Sequence, residues 1–270
     1  MAKSQSIKWT REHTLIALNL YCKLEFGQFH HNNPLIMDVA AKMGRTPSSL
    51  AMKLSNLASL DPLLRARGIR GLSGASTQDH QMWNEFHSHL DVLAPESEQL
   101  LHDLFTTDDN REVDFLERDR VRLERSSTAE PPAGPTEKIS SVRVRRGQQF
   151  FRQTILNAYG VTCCISGINV PRLLVASHIK PWSDFPDDRL DPRNGLCLSS
   201  LHDAAFDAGL ITLDDNFALV LSAKLKRFLP SPALEHNFSR FEGQPIRMPE
   251  KLAEPHGNFV SFHRTTIFQK

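Results

Sequence analysis

Cysteine is scarce in this chain. There are four, Cys22, Cys163, Cys164 and Cys197, among 270 residues, and no CxxC pair. That excludes a disulfide framework and a four-cysteine zinc knuckle, and makes a reducing cytoplasm the expected compartment. No apolar run approaches the ~20 residues needed to span a bilayer, and the opening MAKSQSIKWT has no apolar core of a signal peptide. No membrane association is expected. Charge of one sign is also missing: 32 Lys and Arg stand against 31 Asp and Glu, a net charge of +1. A polycation that binds nucleic acid through bulk charge is thereby excluded, so any such contact must come from local clustering. Hydrophobic residues at 40% and charged residues at 23% are ordinary for a globular protein. The length suits two modest domains.

The N-terminal part is helical in pattern. Thr10 can cap a helix that carries Leu15, Ile16, Leu18 and Leu20. Pro34 can open a second helix ending at Gly44, and Thr46-Pro47 supplies a fresh cap and first helical position. Leu50, Leu54 and Leu57 then recur at helical spacing. Helix, glycine turn, helix is the order of a helix-turn-helix. On that reading Ser48, Ser49, Lys53 and Asn56 lie on the outer side of the second helix, where they suit phosphate and base-edge contacts. An ordinary helical hairpin with a solvated polar face has the same pattern. Residues 1–106 form the expected helical, DNA-binding domain.

Residues 107–141 read as a connection. The mixed charges of DDNREVDFLERDRVRLER predict an exposed helix laced with i,i+4 pairs, and SSTAEPPAGPTEKISS predicts a flexible linker. The second domain, 142–270, opens with a basic cluster of Arg143, Arg145, Arg146 and Arg152. This cluster suits either the phosphate backbone or a solubilising linker end. Three short apolar runs follow, VTCCISG, Leu173 to Ala176 and Asn194 to Leu198, and then a helical stretch from Ser200 to Ala208 closed by Gly209. LITLDDNFALVLS places apolar runs either side of a turn and predicts a hairpin. FVSFHRTTIF predicts a packing helix or strand, and His256 and His263 fall in no ligand pattern. The fold class expected is α+β.

The chemistry concentrates between Leu173 and Gly209. His178 ends an apolar run, Asn194 opens the next, and His202 and Asp203 stand on the first turn of a helix with Asp207 one turn further. Phosphodiester hydrolysis needs a base to activate water, charge to stabilise the phosphorane-like state, and neutralisation of the leaving oxygen. A neutral histidine suits the first task, and a hard divalent cation suits the others. Asparagine can orient the base or a metal-bound water. Lys180 and Trp182 sit in the following loop, where they suit phosphate contact or loop shaping.

In this order of motifs, RRGQQFFR, CCISG, ASHIKPW, DPRNGLCLS and HDAAFDAGLI, the segment 145–268 resembles the HNH (ββα-metal) endonuclease family, and within it the restriction-endonuclease branch. WTREHTLIALNLYCKL with KMGRTPSSLAMKLSNLASLDP is similar to a domain often joined to such nucleases. The resemblance implies a metal-dependent DNA endonuclease in restriction or phage defence. His178 is then the general base and Asn194 the middle asparagine. His202, Asp203 and Asp207 are candidate ligands for Mg²⁺ or Mn²⁺, with Arg143, Arg145, Arg146, Lys180, Ser48, Ser49 and Lys53 on DNA. Ser177 stands where many members carry an acidic or histidine ligand. Two other functions fit the same residues: a DNA-binding regulator with an inactive nuclease-like domain, and a nuclease specific for RNA or for structured substrates. A blunt double-strand cut would call for a homodimer, since one such site cuts one strand.

Overall fold

The N-terminal helices begin where the sequence sets a side-chain oxygen ahead of them. Thr10 accepts from the His13 N–H at 3.1 Å at the head of α1 (Arg11–Lys23). Helices α2 (Pro34–Lys42), α3 (Pro47–Ala58) and α4 (Pro62–Ala66) each have proline in the first turn behind a capping Asn33, Thr46 or Asp61. Proline is tolerated there because its missing N–H has no helical partner to lose. A reciprocal Ser76–Asp79 capping box opens α5 (Thr77–Ser88), and α6 (Leu90–Phe105) follows. The computed structural model describes residues 8–69, 71–109, 111–116, 120–125, 135–249 and 254–270.

The described residues divide into two units, Met1–Gln153 and Thr154–Lys270. In the first, α1 is the central helix and packs on α3, α5 and α6. Every residue from Thr14 to Tyr21 is buried, which is the behaviour of a helix surrounded on all sides. Its buried donors are matched. Asn19 Nδ2 donates to Ser97 Oγ at 3.0 Å and to Glu98 at 2.9 Å, and the fully buried Lys23 pairs with Glu98 at 2.5 Å. Such a pair fixes register more than it adds stability.

The charged stretch expected to be helical is a hairpin instead, β1 (Arg111–Asp114) against β2 (Arg122–Arg125). Its register sets Arg111 opposite Arg125 and Glu112 opposite Glu124, so charge pairing does not select it. Burial does: Val113 and Phe115 are fully inside, and Gln149 and Gln153 both donate to the Val113 carbonyl. The expected linker lies partly outside the described residues, at 126–134, and from Pro135 onward it is helix α7 (Pro135–Ala158). The two units part inside this helix rather than in the 107–141 stretch.

The second unit carries β3 (Leu174–His178) antiparallel to β4 (Gly195–Ser199), then α8 (Ser200–Asp207). VTCCISG, read as a strand-like run, is a turn. The expected hairpin is β5 (Ile211–Leu213) with β6 (Leu219–Leu221), followed by α9 (Ala223–Lys226) and α10 (Pro232–Asn237). The C-terminal segment is α11 (Gly257–Phe262) running into a π-helical turn at His263–Ile267. That turn rests on Gly209, whose φ is +66° and whose missing Cβ would stand 2.2 Å from the Ile267 carbonyl oxygen. Only glycine serves there. No helix among the described residues is long and apolar enough to cross a membrane.

His263, outside any pattern in the sequence, is a core residue. It stacks on Phe206 with centroids 3.7 Å apart, meets Thr212 Oγ1 at 2.9 Å, and donates Nε2–H to the Phe206 carbonyl at 3.0 Å. Burial pushes its pKa down from 6.5 to about 4, against the pull of that carbonyl. The unfolded chain therefore binds a proton between those values that the folded chain refuses. Stability from His263 is present in full above pH 6.5 and is lost as pH falls toward 4. Urea unfolding of the second unit should show this loss, on the order of 3 kcal/mol, and His263→Gln should flatten that part of the pH dependence.

Candidate active site

The β3–β4 pair sets the geometry. Its register places His178, the last residue of β3, opposite Gly195, so the chain between them must close a loop over 179–194. Asn194 closes it. The side chain is fully buried; its Oδ1 accepts the Lys180 N–H at 2.8 Å, and its Nδ2 donates to the Lys180 carbonyl at 3.2 Å and the Asp188 carbonyl at 3.1 Å. The Asn194 carbonyl also accepts the Ile179 N–H at 2.9 Å. The asparagine thus touches backbone on every side, which makes it a positioning residue.

The loop it holds carries the Arg189 carbonyl, 3.0 Å from His178 Nε2. A carbonyl only accepts, so Nε2 carries the proton and, in the neutral ring, Nδ1 carries the lone pair. Trp182 meets the imidazole edge-on, with centroids 5.3 Å apart at 77°. Burial holds the His178 pKa below 6.5, opposed by the Arg189 carbonyl. The result is a neutral base of defined tautomer at the end of a strand.

Two carboxylates lie along α8. Asp203 is half-buried, and burial raises its pKa against the opposing effect of the Ser177 hydroxyl nearby. Ser177 Oγ is itself buried with no hydrogen-bond partner, so the two are neighbours short of a formed bond. Asp207, one turn on and exposed, is raised by partial desolvation and by the charge of Asp203. A pair of carboxylates that each resist ionisation fits a hard divalent cation, which would relieve both. Among the described residues no three His, Cys, Asp or Glu side chains converge on one point. Water and substrate phosphate would therefore complete the coordination, as Mg²⁺ commonly requires.

His202 does not belong to that set. It is 1% exposed, and both ring nitrogens are occupied. Nε2–H donates to the Asn237 carbonyl at 2.8 Å, while Nδ1 lies 2.7 Å from Ser199 Oγ and 3.8 Å from Cys163 Sγ. Its role is to tie α8 to the C-terminal end of α10. The basic residues also differ from expectation. Lys180 pairs with Asp188 and lies 3.8 Å above the Phe185 ring, with Phe259 and Phe262 beyond. In the other unit Arg145 and Arg146 are buried, Arg146 Nε donating to Gln99 at 2.9 Å, and Arg143 donates to the Asp91 carbonyl at 3.1 Å. Lys53 is buried on Asp79 at 2.5 Å, whereas Ser48 is exposed and Ser49 half-exposed at the head of α3. Asn56 lies under the loop at Gly74, where a Cβ would come within 3.3 Å of its side chain.

Arg189 is the part that motif reading misses. A backbone carbonyl has no sequence signature, and Arg189 reads as one more charge in SDFPDDRLDPRN. Compared with protein families, residues 163–214 match the model described as HNH endonuclease. No curated protein matches the chain.

Asn194→Ala should loosen this site at its root. It leaves the Lys180 N–H and the Lys180 and Asp188 carbonyls without their partner. These groups are only part-buried, so the loss should fall at the low end of the roughly 1–3 kcal/mol for each buried group left unpaired, and urea unfolding should report it.

Proposed function

Residues 163–214 being an HNH endonuclease domain, we propose that the chain is a metal-dependent DNA endonuclease. The observation that carries this reading is the tautomer of His178 fixed by the Arg189 carbonyl, together with Asp203 and Asp207 one turn apart on α8, both raised above the usual carboxylate range by burial. His178 Nδ1 takes the proton of an attacking water, while Nε2–H stays on the Arg189 carbonyl and keeps the ring from turning. Asn194 holds the loop in place. Asp203 and Asp207 would hold a divalent ion, Mg²⁺ or Mn²⁺, which when bound supplies positive charge for the phosphoryl and leaving oxygens. His202 takes no part in binding that ion in this reading.

The N-terminal unit supports a DNA contact on a narrower footprint than its sequence implies. The head of α3, with Ser48 exposed and Ser49 beside it, remains open to a phosphate or base edge. Lys53 is withdrawn from that set by its ion pair. A role in restriction or phage defence rests on the resemblance of the motifs, and a homodimer would be needed for a double-strand cut.

The test is cleavage of supercoiled plasmid by the full chain with Mg²⁺, Mn²⁺ or EDTA, beside His178→Ala. Nicking that needs metal and falls roughly 10²–10⁴-fold in the variant is expected. Burial of His178 should put the acid limb of the rate below pH 6.5. Intact DNA with binding retained would favour the inactive regulator, and cleavage of RNA alone would favour the RNA-specific nuclease.

A further inference from the structure

Arg189 meets the site twice. Its main-chain carbonyl accepts from His178 Nε2 at 3.0 Å. Its side chain turns back into the same loop, where Nε donates to the Trp182 carbonyl at 2.6 Å and a terminal nitrogen donates to the Ser183 carbonyl at 3.2 Å. The guanidinium carbon stands 5.4 Å from the centre of the Trp182 ring, and that ring is the one set edge-on to His178. We propose that the Arg189 side chain is a positioning residue for the base, acting through its own carbonyl and through Trp182. The inference rests on the reading of His178 as the general base.

The physical need is plain. The stretch 179–194 has no strand ladder to hold it. A carbonyl that must fix a tautomer needs its own peptide fixed. Asn194 fixes the Asp188 carbonyl, and the Arg189 fork ties its own residue to the turn at Trp182 and Ser183. Arg189 is thereby held both through the peptide before it and through its own side chain. The planar guanidinium suits this because it donates in two directions at once to adjacent carbonyls, which an ammonium does not do in a rigid geometry. The same bonds take up two of the five N–H donors that a phosphate-binding arginine would offer.

Two readouts separate this role from a structural one and from phosphate binding. The first is ¹⁵N histidine NMR on the full chain without DNA or metal. Wild type should show His178 as the Nε2–H tautomer alone, Arg189→Met a mixture of tautomers, and Arg189→Lys an intermediate state. The second is steady-state cleavage, in which Arg189→Met should lower kcat by roughly 10–100-fold, the scale of a misplacement near 1 Å, with KM little changed. A pure Nε2–H tautomer in Arg189→Met would overturn the inference, as would a raised KM with kcat intact. Should the Met variant fail to fold, Arg189→Lys carries both readouts: a wild-type tautomer and kcat there would overturn the role assigned to the fork. If wild type cuts no DNA, the nuclease reading fails while the tautomer measurement still decides the role of Arg189.

Discussion

The hydrogen bond from His178 Nε2 to the Arg189 carbonyl is the constraint on which the C-terminal site depends. It decides which ring nitrogen holds the lone pair, and so which atom would act in the base role proposed for His178. The bond in turn requires a loop with no strand and only two short 3₁₀ turns, Pro186–Asp188 and Pro192–Asn194, to hold one shape. That shape comes from Asn194 at the loop's root, from the Arg189 fork across its middle, and from Lys180 with Asp188 against the Phe185, Phe259 and Phe262 rings. The C-terminal helix α11 therefore contributes to the site although it carries none of its reactive groups.

Several of the charges that stand out in the sequence are turned inward. Lys23, Lys53 and Arg146 are buried with Glu98, Asp79 and Gln99, and Lys180 is held by Asp188. These cations, among the most visible in the sequence, are therefore not the ones left for a polyanion. This narrows where nucleic acid can be gripped and gives more weight to neutral donors such as Ser48. Buried pairs of this kind strongly penalise the loss of either partner, which favours one arrangement of helices over its alternatives.

Much of the fold was legible in the residues. Thr10, Pro34 and Thr46-Pro47 mark helix starts because cap and proline chemistry is local. The β5–β6 hairpin and the ββα order around His178 and Asn194 follow from short-range pattern in the same way. The stretch from Arg111 to Arg125 misleads because its charges mimic helix pairing, whereas the deciding event is burial of Val113 and Phe115 with a carbonyl taken by α7. His202 misleads for a related reason. Order along the chain cannot tell a histidine facing solvent from one whose two nitrogens already bind Ser199 and Asn237. The Arg189 carbonyl is invisible to any motif, since every residue has one.

Chemical rescue tests the account most directly. In His178→Gly, added imidazole should restore metal-dependent plasmid nicking in proportion to its unprotonated fraction, and it should restore nothing in Asp203→Ala. Nicking by His178→Gly at the wild-type rate without imidazole would contradict the assignment of His178 as the base.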